Sequence, residues 1–128
     1  MRFETKAVHA GREIDPTTGA VTAPIHLSTT YERSADGSYT DGFMYSRGDN
    51  PNRRSLEDCL TSLENGYDCV TYASGMAAIS SVIESLPEEK PKRIVMADDM
   101  YFGVRTMLMG TDIGRRFDIV TADMTDLD

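Results

Sequence analysis

The sequence has no tryptophan, only two cysteines and three lysines in 128 residues, and just 8% aromatic side chains. Each shortage excludes something. Cys59 and Cys69 have nine residues between them and sit in apolar patterns, matching neither a redox pair nor zinc-ligand spacing. They are expected as reduced, buried thiols. No apolar run approaches the ~20 residues that cross a bilayer, so no membrane partner is expected. The opening residues, Met1-Arg2-Phe3-Glu4-Thr5-Lys6, lack the apolar stretch of a secretory signal, and a cytoplasmic location is the expectation. Positive charge is also short: 13 Lys and Arg against 21 Asp and Glu leave a net charge of −8. Residues 1–54 carry seven of each sign, so the whole deficit falls on residues 55–128. That balance argues against general nucleic-acid binding, which needs a net basic surface. His9 and His26 are isolated and form no metal pair; they are expected as structural hydrogen-bonders, and no metal site is expected.

What is present is ordinary globular composition, 40% hydrophobic and 27% charged, in a chain long enough for one domain. The rhythm changes near residue 50. Before it, turn signals recur at Asp15-Pro16-Thr17-Thr18-Gly19, Ala35-Asp36-Gly37-Ser38 and Asp41-Gly42, and the apolar pieces between them are too brief for a helix. So long an irregular stretch is unusual inside a compact domain, and residues 1–52 read as an arm that covers a partner or lines a site. After it, Asn50 suits a helix cap and Pro51 a first turn, with Leu56, Cys59, Leu60 and Leu63 on one stripe and Gly66 as the stop. Residues 68–73 are β-branched and aromatic enough for a strand. Ser74 begins a second helix striped by Ile79, Val82, Ile83 and Leu86 and ended by Pro87. A buried strand is expected over residues 93–97, a weaker helix over 103–109 and a further strand over 117–121. Strands alternating with helices predict an α/β fold with a mostly parallel sheet. The eight methionines, Met96, Met100, Met107 and Met109 among them, are expected to fill the core.

In such a sheet, ligands collect beyond the carboxyl ends of strands. Tyr72-Ala73-Ser74-Gly75-Met76-Ala77-Ala78 is a strand running into a helix start, where free amides and the helix dipole favour an anion such as phosphate. A capped helix with nothing bound is the alternative reading of the same residues. The segment is neither a hydrolase nucleophile elbow nor a P-loop, lacking the glycine and the Gly-Lys-Ser/Thr those require. In Asp98-Asp99-Met100-Tyr101-Phe102-Gly103 the two carboxylates suit a solvated turn, and Tyr101 offers a flat face to an aromatic ligand. Tyr45-Ser46-Arg47, if extended, points a phenol and a guanidinium the same way, an arrangement suited to bidentate phosphate binding.

The order of these segments carries a resemblance. Val8-His9-Ala10-Gly11, Gly19-Ala20-Val21 with Pro24-Ile25, Ser28-Thr29-Thr30-Tyr31, Tyr45-Ser46-Arg47 with Asn50-Pro51, Leu56-Glu57, Leu63-Glu64-Asn65-Gly66 and Ser74-Gly75-Met76-Ala77-Ala78-Ile79 together resemble the start of the Cys/Met-metabolism (trans-sulfuration) family of pyridoxal-phosphate (PLP) enzymes. The resemblance implies the type I, aspartate aminotransferase-like α/β fold, of which this chain is the amino-terminal portion. It implies a small amino-acid substrate, cystathionine or an O-acyl-homoserine, and assembly as a homodimer or homotetramer. By position, Ser74, Gly75 and Met76 would meet the cofactor phosphate, and Tyr101 would stack on the pyridine ring. Tyr45 and Arg47 would reach the phosphate held by a neighbouring subunit. Tyr45, like Tyr101, is a catalytic candidate, able to assist proton movement near the substrate. Residues 1–52 would be the arm and 53–128 the first part of the cofactor domain.

Two departures stand out. Where the family shows Tyr-Gly-Gly-Thr, this chain has Tyr101-Phe102-Gly103-Val104, placing a bulky ring beside the stacking tyrosine. The Schiff-base lysine is absent, because Lys6, Lys90 and Lys92 all lie outside the Ser-x-x-Lys context. The chain alone is therefore expected to be inactive, the parent enzyme active. The alternative is a non-catalytic truncated remnant or interaction module of the same fold. A doubly wound nucleotide-binding domain ranks last, for want of Gly-x-Gly-x-x-Gly.

Overall fold

The structure, a computed structural model, describes residues 1–39, 42–86 and 92–126. The chain forms two compact units, residues 1–71 and 72–128.

In the first unit one long helix, α2 (Pro51–Glu64), organises an irregular chain. The Asn50 side chain accepts the Arg53 amide at 2.7 Å and Pro51 takes the first helical position, as the sequence predicts. The stop falls one residue early. Asn65, not Gly66, adopts the left-handed conformation (φ 51°), and the Gly66 amide returns to the Thr61 carbonyl at 2.9 Å. The expected apolar stripe is not the buried face either: Leu56 is exposed, and the buried residue of α2 is Glu57.

The preceding segment is tied to α2 by side-chain hydrogen bonds. It opens with a short helix, α1 (Phe3–His9), which lacks a side-chain cap and so left no signature in the sequence. Lys6 Nζ donates to the Ser62 carbonyl at 2.9 Å and to Asn65 Oδ1 at 3.0 Å, placing a cation at the carbonyl end of α2. Gly11 (φ +69°) follows. A Cβ there would run into the Ser55 carbonyl, and Ser55 Oγ donates to the Gly11 carbonyl. Asn52 holds the next piece from both sides, accepting the His26 amide and donating to the Pro24 carbonyl, each at 2.8 Å. The His9 and His26 side chains are exposed, so it is a backbone amide and not an imidazole that bonds. The turn at Asp15 forms as expected; Asp41 lies outside the described residues. An antiparallel bridge, Thr30 to Tyr45, closes the loop between them.

The second unit contains α3 (Gly75–Ser85), β1 (Lys92–Ala97), α4 (Phe102–Gly110), a 3-10 turn and β2 (Phe117–Ala122). Ser74 caps α3, its hydroxyl accepting the Ala77 amide at 3.1 Å; the expected stop at Pro87 lies outside the described residues. β1 and β2 pair in parallel, with Ile94 opposite Ile119 and Val95 opposite Val120. Met96, Val104, Met107 and Leu108 are buried together, with Met76, Ile83, Ile94, Met100, Ile113 and Ile119 packed around them. Three expectations need correction. Residues 68–73 form no strand among the described residues, because no neighbour offers a hydrogen-bonding edge; Val70 is exposed instead. β1 alternates in burial and is not buried throughout, since its outer face carries Arg93 and Val95. Met109 is exposed on α4 and fills no core. Cys59 and Cys69 are free but only half-buried.

Candidate functional site

The first unit holds a cleft of about 350 Å³ lined by residues 47–49, 53, 54, 57 and 68–71. Arg47 lines the cleft, and Tyr45 lies two residues before it in sequence. The chain is not extended there; Tyr45 ends the bridge to Thr30 and residues 46–48 turn. The turn still brings the two side chains together, with the Arg47 guanidinium 5.0 Å from the Tyr45 ring centroid. The other arginines of the cleft are held by acids. Arg54 Nη2 lies 2.7 Å from Asp49 Oδ2 and Arg53 Nη2 lies 3.3 Å from Asp49 Oδ1. Arg53 also donates to the Gly48 carbonyl and has Nε 3.8 Å from Glu57 Oε1. Arg47 has no carboxylate partner among the described residues. Burial pushes the Asp49 carboxyl up, but the Arg54 hydrogen bond, the Asn50 amide and both arginine charges outweigh it, so Asp49 is held below the usual carboxylate range. Glu57, 4% exposed, accepts the Thr71 amide at 2.9 Å and the Thr71 hydroxyl at 3.0 Å.

The second unit holds the other candidates. Ser74 uses its side chain on Ala77, and its carbonyl accepts the Ala78 amide at 3.2 Å. The Gly75 and Met76 amides therefore have no acceptor among the described residues at the dipole-positive start of an 11-residue helix, and no described atom lies within 4 Å of a Cβ built on Gly75. Tyr101 precedes α4 and is 70% exposed. Its ring and the Met76 sulfur both approach Gly103, so Tyr101 and Met76 come together. Asp98 and Asp99 form a turn, with the Asp98 carbonyl accepting Arg105 Nη1 at 2.7 Å.

A family model described as Cys/Met metabolism PLP-dependent enzyme matches residues 4–128. The chain belongs to this family. A cystathionine beta-lyase of Coxiella burnetii is 40% identical over 101 residues, covering 79% of this chain and 25% of that protein. A cystathionine gamma-lyase of Dictyostelium discoideum is 33% identical over 118 residues, covering 92% of this chain and 30% of that protein. Among solved structures, cystathionine gamma synthase from Xanthomonas oryzae in complex with cystathionine matches with a TM-score of 0.82 at 31% identity, over 98% of this chain and 32% of that one. The structure of metB from Corynebacterium glutamicum matches with a TM-score of 0.87 at 28% identity, over 99% of this chain and 33% of that one. The fold is thus the type I PLP-enzyme fold, and the chain spans about a quarter to two-fifths of the curated relatives it matches.

Within this Cys/Met-metabolism chain, sequence reasoning missed Glu57 and Asp49. Glu57 works through Thr71, fourteen residues away, which no local spacing displays, whereas the i, i+4 spacing of Asp49 and Arg53 is a signal that could have found Asp49. It also passed over Gly103, although a glycine inside a helical pattern is itself a signal of close packing.

Proposed function

We propose that this chain supplies the amino-terminal part of a PLP-dependent trans-sulfuration enzyme. The parent enzyme carries out γ-replacement or γ/β-elimination on cystathionine or an O-acyl-homoserine, in the cytoplasm. The observation that carries the reading is the start of α3, where two amides with no acceptor among the described residues and an open glycine suit a phosphate. Ser74 holds that helix start in shape while Gly75 and Met76 bind the phosphate. Arg47, left without a carboxylate, binds the phosphate of a neighbouring subunit, and the Tyr45 ring beneath it fixes its direction. Tyr101 covers one face of the pyridine ring, and Tyr45 assists proton movement near the substrate. Residues 1–52 act as the arm between subunits of a homodimer or homotetramer, and 53–128 begin the cofactor domain. Bound there, PLP supplies an electron sink for carbanions formed on an amino-acid substrate.

These 128 residues by themselves are proposed to be inactive. Lys6 is engaged by Ser62 and Asn65, Lys92 begins β1, and Lys90 lies outside the described residues. The test expresses the complete reading frame and titrates PLP while recording visible absorbance. Uptake of the cofactor is expected, with Arg47→Ala weakening it about tenfold, the worth of one charge-assisted hydrogen bond. A protein that stays colourless at saturating PLP would sink the reading in favour of a non-catalytic remnant.

A further inference from the structure

Tyr101 stands just before α4 and Gly103 is the second residue of that helix. A Cβ built on Gly103 would lie 2.7 Å from Tyr101 Cε1, 3.3 Å from Tyr101 Cδ1 and 3.2 Å from the Met76 sulfur. Carbon atoms do not share 2.7 Å, so with any L side chain at 103 the ring must shift from this position. Gly103 has no positive φ, so backbone freedom does not explain it, and alanine is the better helix former. Its neighbour Phe102 is 78% exposed and meets no such limit. The tightest constraint the glycine relieves is the approach of the ring, with the Met76 sulfur next to it.

We propose that Gly103 is a positioning residue for a flat aromatic ligand: its missing side chain is the seat on which one edge of the Tyr101 ring rests beside Met76. The seat holds the ring at one angle while the residue stays 70% exposed, free to receive a planar ligand. This deepens the PLP reading and rests on it for the identity of the ligand. It also accounts for where the chain departs from Tyr-Gly-Gly-Thr: the bulky substitution falls at 102, where there is room, and not at 103.

The test uses the complete reading frame as wild type, Gly103→Ala, Tyr101→Ala and the double variant. Without cofactor, spectra of ring-labelled tyrosine report the seat directly, the Tyr101 signals being those lost in Tyr101→Ala. Gly103→Ala should shift them and leave the Tyr45 signals in place. With PLP titrated, Gly103→Ala should weaken binding about tenfold when Tyr101 is present and less than twofold when it is alanine. Unmoved ring signals in Gly103→Ala overturn the seat. Moved signals with unchanged PLP affinity overturn its role toward the ligand. A wild type that takes up no PLP sinks the functional reading and the ligand half of the proposal, while the ring signals still decide the seat. If Gly103→Ala does not fold, the double variant must, because the ring it collides with is gone; a double variant that stays unfolded overturns the proposal.

Discussion

The two units are held together by different means. In residues 72–128 cohesion comes from a small apolar cluster, Met96, Val104, Met107 and Leu108, between a parallel strand pair and its helices. In residues 1–71 no apolar side chain among the described residues is buried, and the buried residue is an acid, Glu57. There the chain is fixed by discrete bonds from one helix: Lys6 to Ser62, Ser55 to Gly11, Asn52 to Pro24 and His26, and Glu57 to Thr71. Apolar packing is non-directional and tolerates exchange of similar side chains. Hydrogen-bond clamps are directional and fix particular backbone atoms, which is what an irregular segment needs if it is to present Tyr45 and Arg47 in one orientation.

The contrast breaks most visibly at Leu108. It is 3% exposed at the centre of the apolar cluster. Leu108→Ala should cost about 2–5 kcal/mol, from lost burial plus the cavity left behind. Amide exchange followed by mass spectrometry should speed up through β1, α4 and β2 and change little in α2. Equal acceleration in α2 would mean that residues 1–71 depend on the same core and that the distinction between the units is false.

How much of this was legible in the sequence follows the same division. The starts of α2 and α3 were read correctly, since Asn50 with Pro51 and Ser74 each open a helix through contacts within three residues, while the stop expected at Gly66 falls at Asn65. The apolar runs of β1 and β2 needed only each other. Residues 68–73 have strand composition but no strand, because pairing depends on a partner the local sequence cannot supply. On α2, periodicity favoured Leu56, whereas the inward turn of Glu57 is set by Thr71, fourteen residues away. Tyr45 and Arg47 were expected together through an extended chain. They meet through a turn, since attraction between cation and ring does not need that backbone. The amides of Gly75 and Met76 were foreseeable from the Ser74 cap alone, since the strand expected to lead into it does not form, but the fit of Tyr101 against Gly103 required the coordinates.

Glu57 tests the other side of the comparison with a smaller effect. Glu57→Ala leaves the Thr71 amide and hydroxyl without their acceptor and removes the acid beside Arg53. A loss of about 1–3 kcal/mol is expected, the range for leaving buried polar groups unpaired. Glu57→Gln keeps an oxygen for Thr71 and should recover at least half of it by denaturant midpoint. If Glu57→Leu matched the wild type, shape and not hydrogen bonding would be what the position requires, and the clamp account of this unit would fail.

The smallest effect sharpens the role of charge within the clamps. Asp49 is held below the usual carboxylate range by Arg54, Asn50 and Arg53 against the opposing pull of burial. A carboxyl depressed in the folded state contributes stability that is fully present above its unfolded value, about 3.9, and is lost as pH falls through the folded value. Asp15, depressed by the Thr17 amide, and Asp36 and Asp123, depressed by the Ser38 and Thr125 side chains, act in the same direction. Stability should therefore fall on acidification below about pH 4 with contributions from all four. Asp49→Asn should flatten only part of that slope and cost about 1 kcal/mol or less at neutral pH, because Arg54 is partly exposed and the pair is screened. Melting curves at pH 7 and pH 3.5, in low and in 0.5 M salt, separate the cases. A variant as acid-sensitive as the wild type would show that Asp49 orders the arginines by geometry alone. A neutral-pH loss that salt does not reduce would point to the same conclusion, leaving the charge of the clamp without a part in holding residues 1–71.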